Sequence, residues 1–187
     1  MVDLGSDPKL VNKSLNVKKG NVNKKNLYAA LDLGTNSCRM LIARPTGSRF
    51  EIVDAFSKSI RLGIDLERTG ELSQDGITRA LQALHVCAKK LNKFRVKNSR
   101  LVATEACRRS KNGKSFLQKV KVETGLNLEL IKPEEEARLA VISCAPLFDQ
   151  KFSHVLIVDI GGGSTELVWM DLSEISEENR IAEMLKL

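Results

Sequence analysis

The sequence predicts an α/β protein on three observations. Strand-length apolar runs alternate with stretches of helical periodicity, turn or cap residues mark each switch, and 42% apolar content over 187 residues suffices for a core. The first strand is Tyr28-Ala-Ala-Leu-Asp32, followed by the turn residues Leu33-Gly-Thr-Asn-Ser37 and a second apolar run, Met40-Leu-Ile-Ala43. A third strand is expected around Phe50 to Ser57. Ile77, Ala80, Leu81, Leu84, Ala88 and Leu91 recur at the spacing of one helical face, with Ser73 as cap, which gives a helix of about five turns. Arg100 to Thr104 reads as a buried strand, Ser115 to Thr124 as a helix closed by Gly125, and Leu126 to Ile131 as a strand. Pro133 opens another helix, and Glu134, Glu135 and Glu136 stand at its positive end. Val155 to Asp159 is apolar enough for a central strand, Ile160-Gly-Gly-Gly-Ser-Thr165 is its loop, and Leu167 to Met170 begins the returning strand.

Composition narrows the function classes. No apolar run approaches the roughly 20 residues that cross a bilayer, and the N-terminus lacks the apolar stretch of a secretory signal, so no membrane association and a cytoplasmic address are expected. Cys38, Cys87, Cys107 and Cys144 are scattered among apolar or helical neighbours without a CxxC pair, as reduced core thiols would be. The net charge of +7 is uneven: residues 1–26 hold six lysines against Asp3 and Asp7, and so supply +4 of it. This basic segment reads as a disordered leader, either a solubilising arm or a polyanion tether. A second basic stretch, Lys89 to Lys121, has twelve Lys or Arg residues and one acid, Glu105. Its lysines suit either ordinary helix exteriors or the steering of a polyanion. His85 and His154 are expected at the surface or in packing roles, and Trp169 in core or edge packing.

The chemistry lies in a repeat. Asp32-Leu-Gly-Thr-Asn-Ser-Cys-Arg-Met-Leu41 and Asp159-Ile-Gly-Gly-Gly-Ser-Thr-Glu-Leu-Val168 share Asp, an aliphatic residue, Gly, two loop residues and Ser, 127 positions apart. Either loop alone fits an ordinary hairpin whose glycine serves a positive φ. Together they suit a phosphate clamp. Glycines let backbone N–H groups converge on an anion, hydroxyls add donors, and a strand-end carboxylate can hold a divalent cation. No Gly-Lys-Ser/Thr follows the glycines, and no GxGxxG opens a helix here.

These loops, with Ser59-Ile-Arg-Leu-Gly63, the Ala103-Thr104 to Arg108 segment and Glu134-Glu-Glu-Ala-Arg-Leu139, resemble the exopolyphosphatase/guanosine pentaphosphate phosphatase family over residues 27–170. The resemblance implies a ribonuclease-H-like lobe of the actin-like ATPase fold, shared with sugar kinases and heat-shock chaperones. It implies a first phosphate loop of Asp32, Gly34, Thr35, Asn36, Ser37 and Arg39, and a second of Asp159, Gly161, Gly162, Gly163, Ser164, Thr165 and Glu166. Arg108 matches a phosphate-binding arginine and Glu136 the catalytic base. Asp159 and Glu166 are the natural ligands for Mg2+ and join Glu136 in the catalytic set. Without the resemblance, three glutamates in one helical turn read as dipole stabilisation and a solvated face.

The family's phosphatase module is about twice this length by the resemblance, so the second lobe is expected to be missing. Residues 171–187 then form a truncated connection or a short helix. The expected activity is release of terminal phosphate from inorganic polyphosphate or guanosine pentaphosphate. An actin-like ATPase or sugar kinase and a non-catalytic polyphosphate-binding remnant share the same loops. Nucleic acid is not an expected partner, and a homodimer is compatible with the sequence.

Overall fold

The structure, a computed structural model, describes residues 26–46, 49–148 and 151–173. The basic leader and the terminal helix read from the sequence therefore lie outside the described residues, apart from Asn26 and residues 171–173.

Strands Tyr28–Leu33 (β1), Ser37–Thr46 (β2) and Arg49–Ser59 (β3) form an antiparallel meander. Asn98–Ala103 (β4) joins β1 in parallel, and Glu129–Leu130 (β5) joins β4. The order is β3-β2-β1-β4-β5 with β2 alone running against the others, a ribonuclease-H-like sheet as the resemblance implies. The strand read over 126–131 shrinks to Glu129–Leu130, because only these residues pair with Val102 and Ala103.

The helices are Leu66–Thr69 (α1), Gln74–Lys93 (α2), Glu105–Arg109 (α3), Gly113–Thr124 (α4) and Pro133–Cys144 (α5). Period-2 alternation sends Ala29, Leu31, Leu33, Cys38, Met40 and Ile42 to one buried face of the sheet. Onto it α2 lays the stripe of Ile77, Ala80, Leu81, Leu84, Cys87, Ala88 and Leu91, and α4 adds Phe116 and Val120. Ser73 caps α2, its Oγ accepting from the Gly76 N–H at 3.2 Å, a bond worth about 1 kcal/mol. Gly125 closes α4 at φ 74°, the left-handed conformation that ends a helix and that glycine adopts without Cβ strain. All four cysteines are free thiols, three of them buried, and burial pushes Cys107 up to about 12.

A second sheet holds only His154–Ile160 (β6) and Thr165–Asp171 (β7) among the described residues. The expected central strand Val155 to Asp159 therefore has one strand neighbour there. Its apolar residues serve two faces. Val155, Ile157, Val168 and Met170 pack on Val141 of α5 and on Ala145 just after it as a second core, while Leu156, Val158, Ile160, Leu167 and Trp169 stay exposed. Trp169, read as packing, is 67% exposed and stacks on His154 with ring centroids 5.4 Å apart.

Strand direction sets the position of the site. The C-terminal ends of β1, β4 and β5 lie side by side, with Leu33 against Ala103 and Ala103 against Leu130. The first loop, α3 and the start of α5 therefore emerge from one edge of the sheet, where ligands of α/β proteins commonly bind.

Candidate active site

The two loops are one structure built twice. Gly34 N–H donates to Ser37 O at 2.9 Å, and Gly161 N–H donates to Ser164 O at 2.9 Å. Asp32 stands opposite Arg39 and Leu33 opposite Cys38; 127 residues later Asp159 stands opposite Glu166 and Ile160 opposite Thr165. Among the described glycines only Gly70 and Gly125 have positive φ, so backbone handedness does not explain the loop glycines. Close approach does so at Gly162 and Gly163. A Cβ on Gly162 would lie 2.5 Å from Asn36 Nδ2, and one on Gly163 would lie 2.7 Å from Thr35 Oγ1. The loops meet tip to tip, and side chains on the second would force them apart.

Between them is a cavity of about 350 Å³. Asp32, Gly34, Thr35, Asn36, Ser37 and Arg39 line it from the first loop, and Asp159, Gly161, Gly162, Gly163 and Ser164 from the second. Glu136 enters from the first turn of α5, and Thr104, Glu105 and Ile160 complete the wall. Three residues of the expected set stand off it. Thr165 is on the outer face of β7, Glu166 sits behind Asp159 on the face that packs against α5, and Arg108 lies beneath Glu136.

Arg108 makes four hydrogen bonds within the protein. Its Nε and Nη2 donate to Glu105 Oε2 at 3.1 and 2.6 Å, Nη2 also donates to Glu136 Oε2 at 3.2 Å, and Nη1 donates to the Ile131 carbonyl at 2.7 Å. A residue expected to bind phosphate thus also fixes a carboxylate, with one N–H of Nη1 beyond these four bonds. Burial raises the pKa of Glu136; the Arg108 hydrogen bond and charge oppose the shift, while Glu166 and Asp32 add to it. Asp32 is raised in the same way by burial, with Arg39 lowering it and Asp159 raising it.

Sequence reading noted Glu105 only as the lone acid of a basic stretch. Its signal was the i,i+3 spacing to Arg108, which puts both on one helical face. Of that stretch, Lys90 pairs with Asp54 at 2.7 Å, Arg109 with Glu67 at 2.7 Å and Arg100 with Glu135 at 2.8 Å. None of its lysines lines the cavity. His85 and His154 are half-exposed, 4.0 Å from Glu123 and 3.8 Å from Asp171.

Comparison with known proteins agrees with this geometry. A Ppx/GppA enzyme of Aquifex aeolicus shares 38% identity with a TM-score of 0.68, over 78% of this chain and 48% of that one. A second Aquifex aeolicus structure of the Ppx/GppA family shares 31% identity with a TM-score of 0.66, over 86% of this chain and 58% of that one. An exopolyphosphatase from Cytophaga hutchinsonii superimposes with a TM-score of 0.74 at 24% identity, over 80% and 48% of the two chains, a likeness of fold. The chain thus spans about half the length of the structures it matches. Residues 41–179 match the Ppx/GppA phosphatase family, and with the paired loops and α5 in place the chain belongs to that family.

Proposed function

We propose that this chain carries the loop-bearing part of a magnesium-dependent phosphohydrolase that releases terminal phosphate from inorganic polyphosphate or guanosine pentaphosphate in the cytoplasm. The observation that supports it best is the placement of Glu136. A third element brings its carboxylate into the cavity between the two loops, and burial raises its pKa toward that of a useful base.

In this reading the terminal phosphoryl group lies between the loop tips, where backbone N–H groups and the Ser37 and Ser164 hydroxyls donate to its oxygens. Glu136 accepts a proton from the attacking water, and Arg108, anchored on Glu105 and the Ile131 carbonyl, holds that carboxylate in place. Arg39 offsets charge from the first loop. The donor set suits Mg2+: Asp159 and Glu166 supply hard carboxylate oxygens, and among the described residues no group of three or more His, Cys, Asp and Glu forms an all-protein cage. Magnesium commonly takes one or two carboxylates and completes its shell with substrate phosphates and water, and when bound it would neutralise charge on the transferred phosphoryl. Phosphate release from long-chain polyphosphate, compared between the wild type and Glu136→Gln, tests the reading.

A further inference from the structure

We propose that a second anion site, free of carboxylates and holding Arg61, adjoins the loop cavity and carries the tail of a linear polyphosphate; the inference rests on the phosphohydrolase reading above. A cavity of about 280 Å³ lies beside the first and shares Thr35, Asn36 and Gly162 with it. Their charges differ. Four carboxylates, those of Asp32, Glu105, Glu136 and Asp159, face the first cavity against Arg39, so a phosphate there needs a cation beside it. The second has no acidic residue on its wall among the described residues, and Arg61, the Ser59 and Thr35 hydroxyls and the Asn36 amide supply the donors. Such a wall takes an anion directly.

The backbone at Arg61 is held in an unfavourable conformation that fixes where the side chain starts. Its φ is 47°, in the left-handed region that non-glycine residues rarely occupy. Arg61 N–H donates to the Asn36 carbonyl at 3.0 Å, and Gly63 N–H donates to the Thr35 carbonyl at 3.0 Å. From the other side, Arg79 Nε donates to the Ile60 carbonyl at 2.7 Å and Nη2 to the Arg61 carbonyl at 3.3 Å. Two of these bonds tie Arg61 and Gly63 to the first phosphate loop, and two tie residues 60–61 to α2. The Arg61 side chain is exposed, and among the described residues it makes no ion pair with a carboxylate.

Beyond it a further cavity of about 400 Å³ is lined by Ser59, Arg61, Ile64 and Arg79, again without an acid among the described residues. Arg79 thus joins Arg61 on the side away from the loops. Among the described residues no aromatic side chain lines either outer cavity to offer a purine a stacking surface, which favours an inorganic chain over a nucleotide.

The test titrates end-labelled long-chain polyphosphate and pyrophosphate into the full 187-residue chain, as wild type, Arg61→Gln and Arg61→Lys, with magnesium present. Arg61→Gln is expected to weaken long-chain binding about tenfold, as loss of one charge-assisted contact would, and to weaken pyrophosphate binding less. Arg61→Lys, which keeps the charge at the same backbone position, should retain most of the long-chain affinity. Equal affinity in Arg61→Gln and wild type would overturn the second site and leave the loop reading standing. So would equal losses in the Gln and Lys variants, which would trace the effect to the loop's shape, or equal losses on the two ligands. A wild-type chain that binds no polyphosphate would remove the reading on which the site rests.

Discussion

Asp159 faces Glu166 across the β6–β7 ladder at the register position where Asp32 faces Arg39 in β1–β2. The repeat thus keeps its backbone and changes its charge. The first pair is neutral, and the second is doubly negative on the face that also receives Glu136. Like charges directly opposite on neighbouring strands destabilise the pair, typically by a few tenths to about 1 kcal/mol. A divalent cation would relieve that repulsion, which is the physical argument for proposing magnesium at the second loop rather than the first.

Magnesium should therefore raise the melting temperature of the wild type, and raise it less in Asp159→Asn, where one charge of the pair is gone. Thermal melts with and without EDTA read this. Polyphosphate binding should weaken as salt rises, because exposed cationic contacts are screened. Melts and binding indifferent to magnesium would contradict the assignment.

Glu136→Gln keeps the shape and an acceptor for Arg108 but loses the base. Turnover should fall about 10²- to 10⁴-fold, with polyphosphate affinity within a few-fold of wild type. Wild-type turnover in this variant would move the base elsewhere. Glu135, the first alternative, is bound to Arg138 at 2.6 Å, which with Arg100 holds its pKa down to about 2, a poor value for a base.

The acidic limb of the pH–rate profile should lie above the ordinary glutamate range, because the base must be ionised and burial raises its pKa. Arg108 opposes that rise, so Arg108→Gln should move the limb to still higher pH. Stability carries the same sign. With the folded pKa above the unfolded one, the Glu136 contribution is present below the unfolded value and lost as pH rises through the folded value. At neutral pH the ionised carboxylate is a liability, so Glu136→Gln should melt no lower than the wild type. A lower melting temperature would show that the Arg108 pairing outweighs burial.

Glycine substitutions should separate site from scaffold. Gly163→Ala sets a methyl group against Thr35 at the loop tips and should cost activity while the melting temperature holds. Gly113→Ala drives a methyl into the backbone carbonyl of Cys107, which cannot swing aside, and should destabilise the protein by about 1–3 kcal/mol. Thermal melts beside phosphate-release assays read both.

The fold was legible where periodicity was long. The α2 stripe and its Ser73 cap, the Gly125 stop and the Pro133 start were all written in local residues. The short helices α1 and α3 were not, since four or five residues give a 3.6-residue period nothing to repeat. Nor was the pairing of β6 with β7 alone among the described residues, because an apolar strand has the same composition whether two neighbours flank it or one. In the site, the Asp-to-Ser spacing of the repeat announced two equivalent hairpins, but their contact through Gly162 and Asn36 is tertiary. The engagement of Arg108 with Glu136 depends on β4 and β5 lying side by side, which no local spacing reveals.

The decisive measurement is inorganic phosphate release from long-chain polyphosphate by purified 187-residue chain, with guanosine pentaphosphate and ATP in parallel and Glu136→Gln as the control. Half the length of its structural relatives calls for long incubations and a sensitive phosphate assay, since positioning supplies much of phosphoryl-transfer catalysis. Magnesium-dependent release from polyphosphate or guanosine pentaphosphate that exceeds release from ATP and vanishes in Glu136→Gln is the predicted result. Release that persists in Glu136→Gln, or that favours ATP over both phosphate-rich substrates, would contradict it.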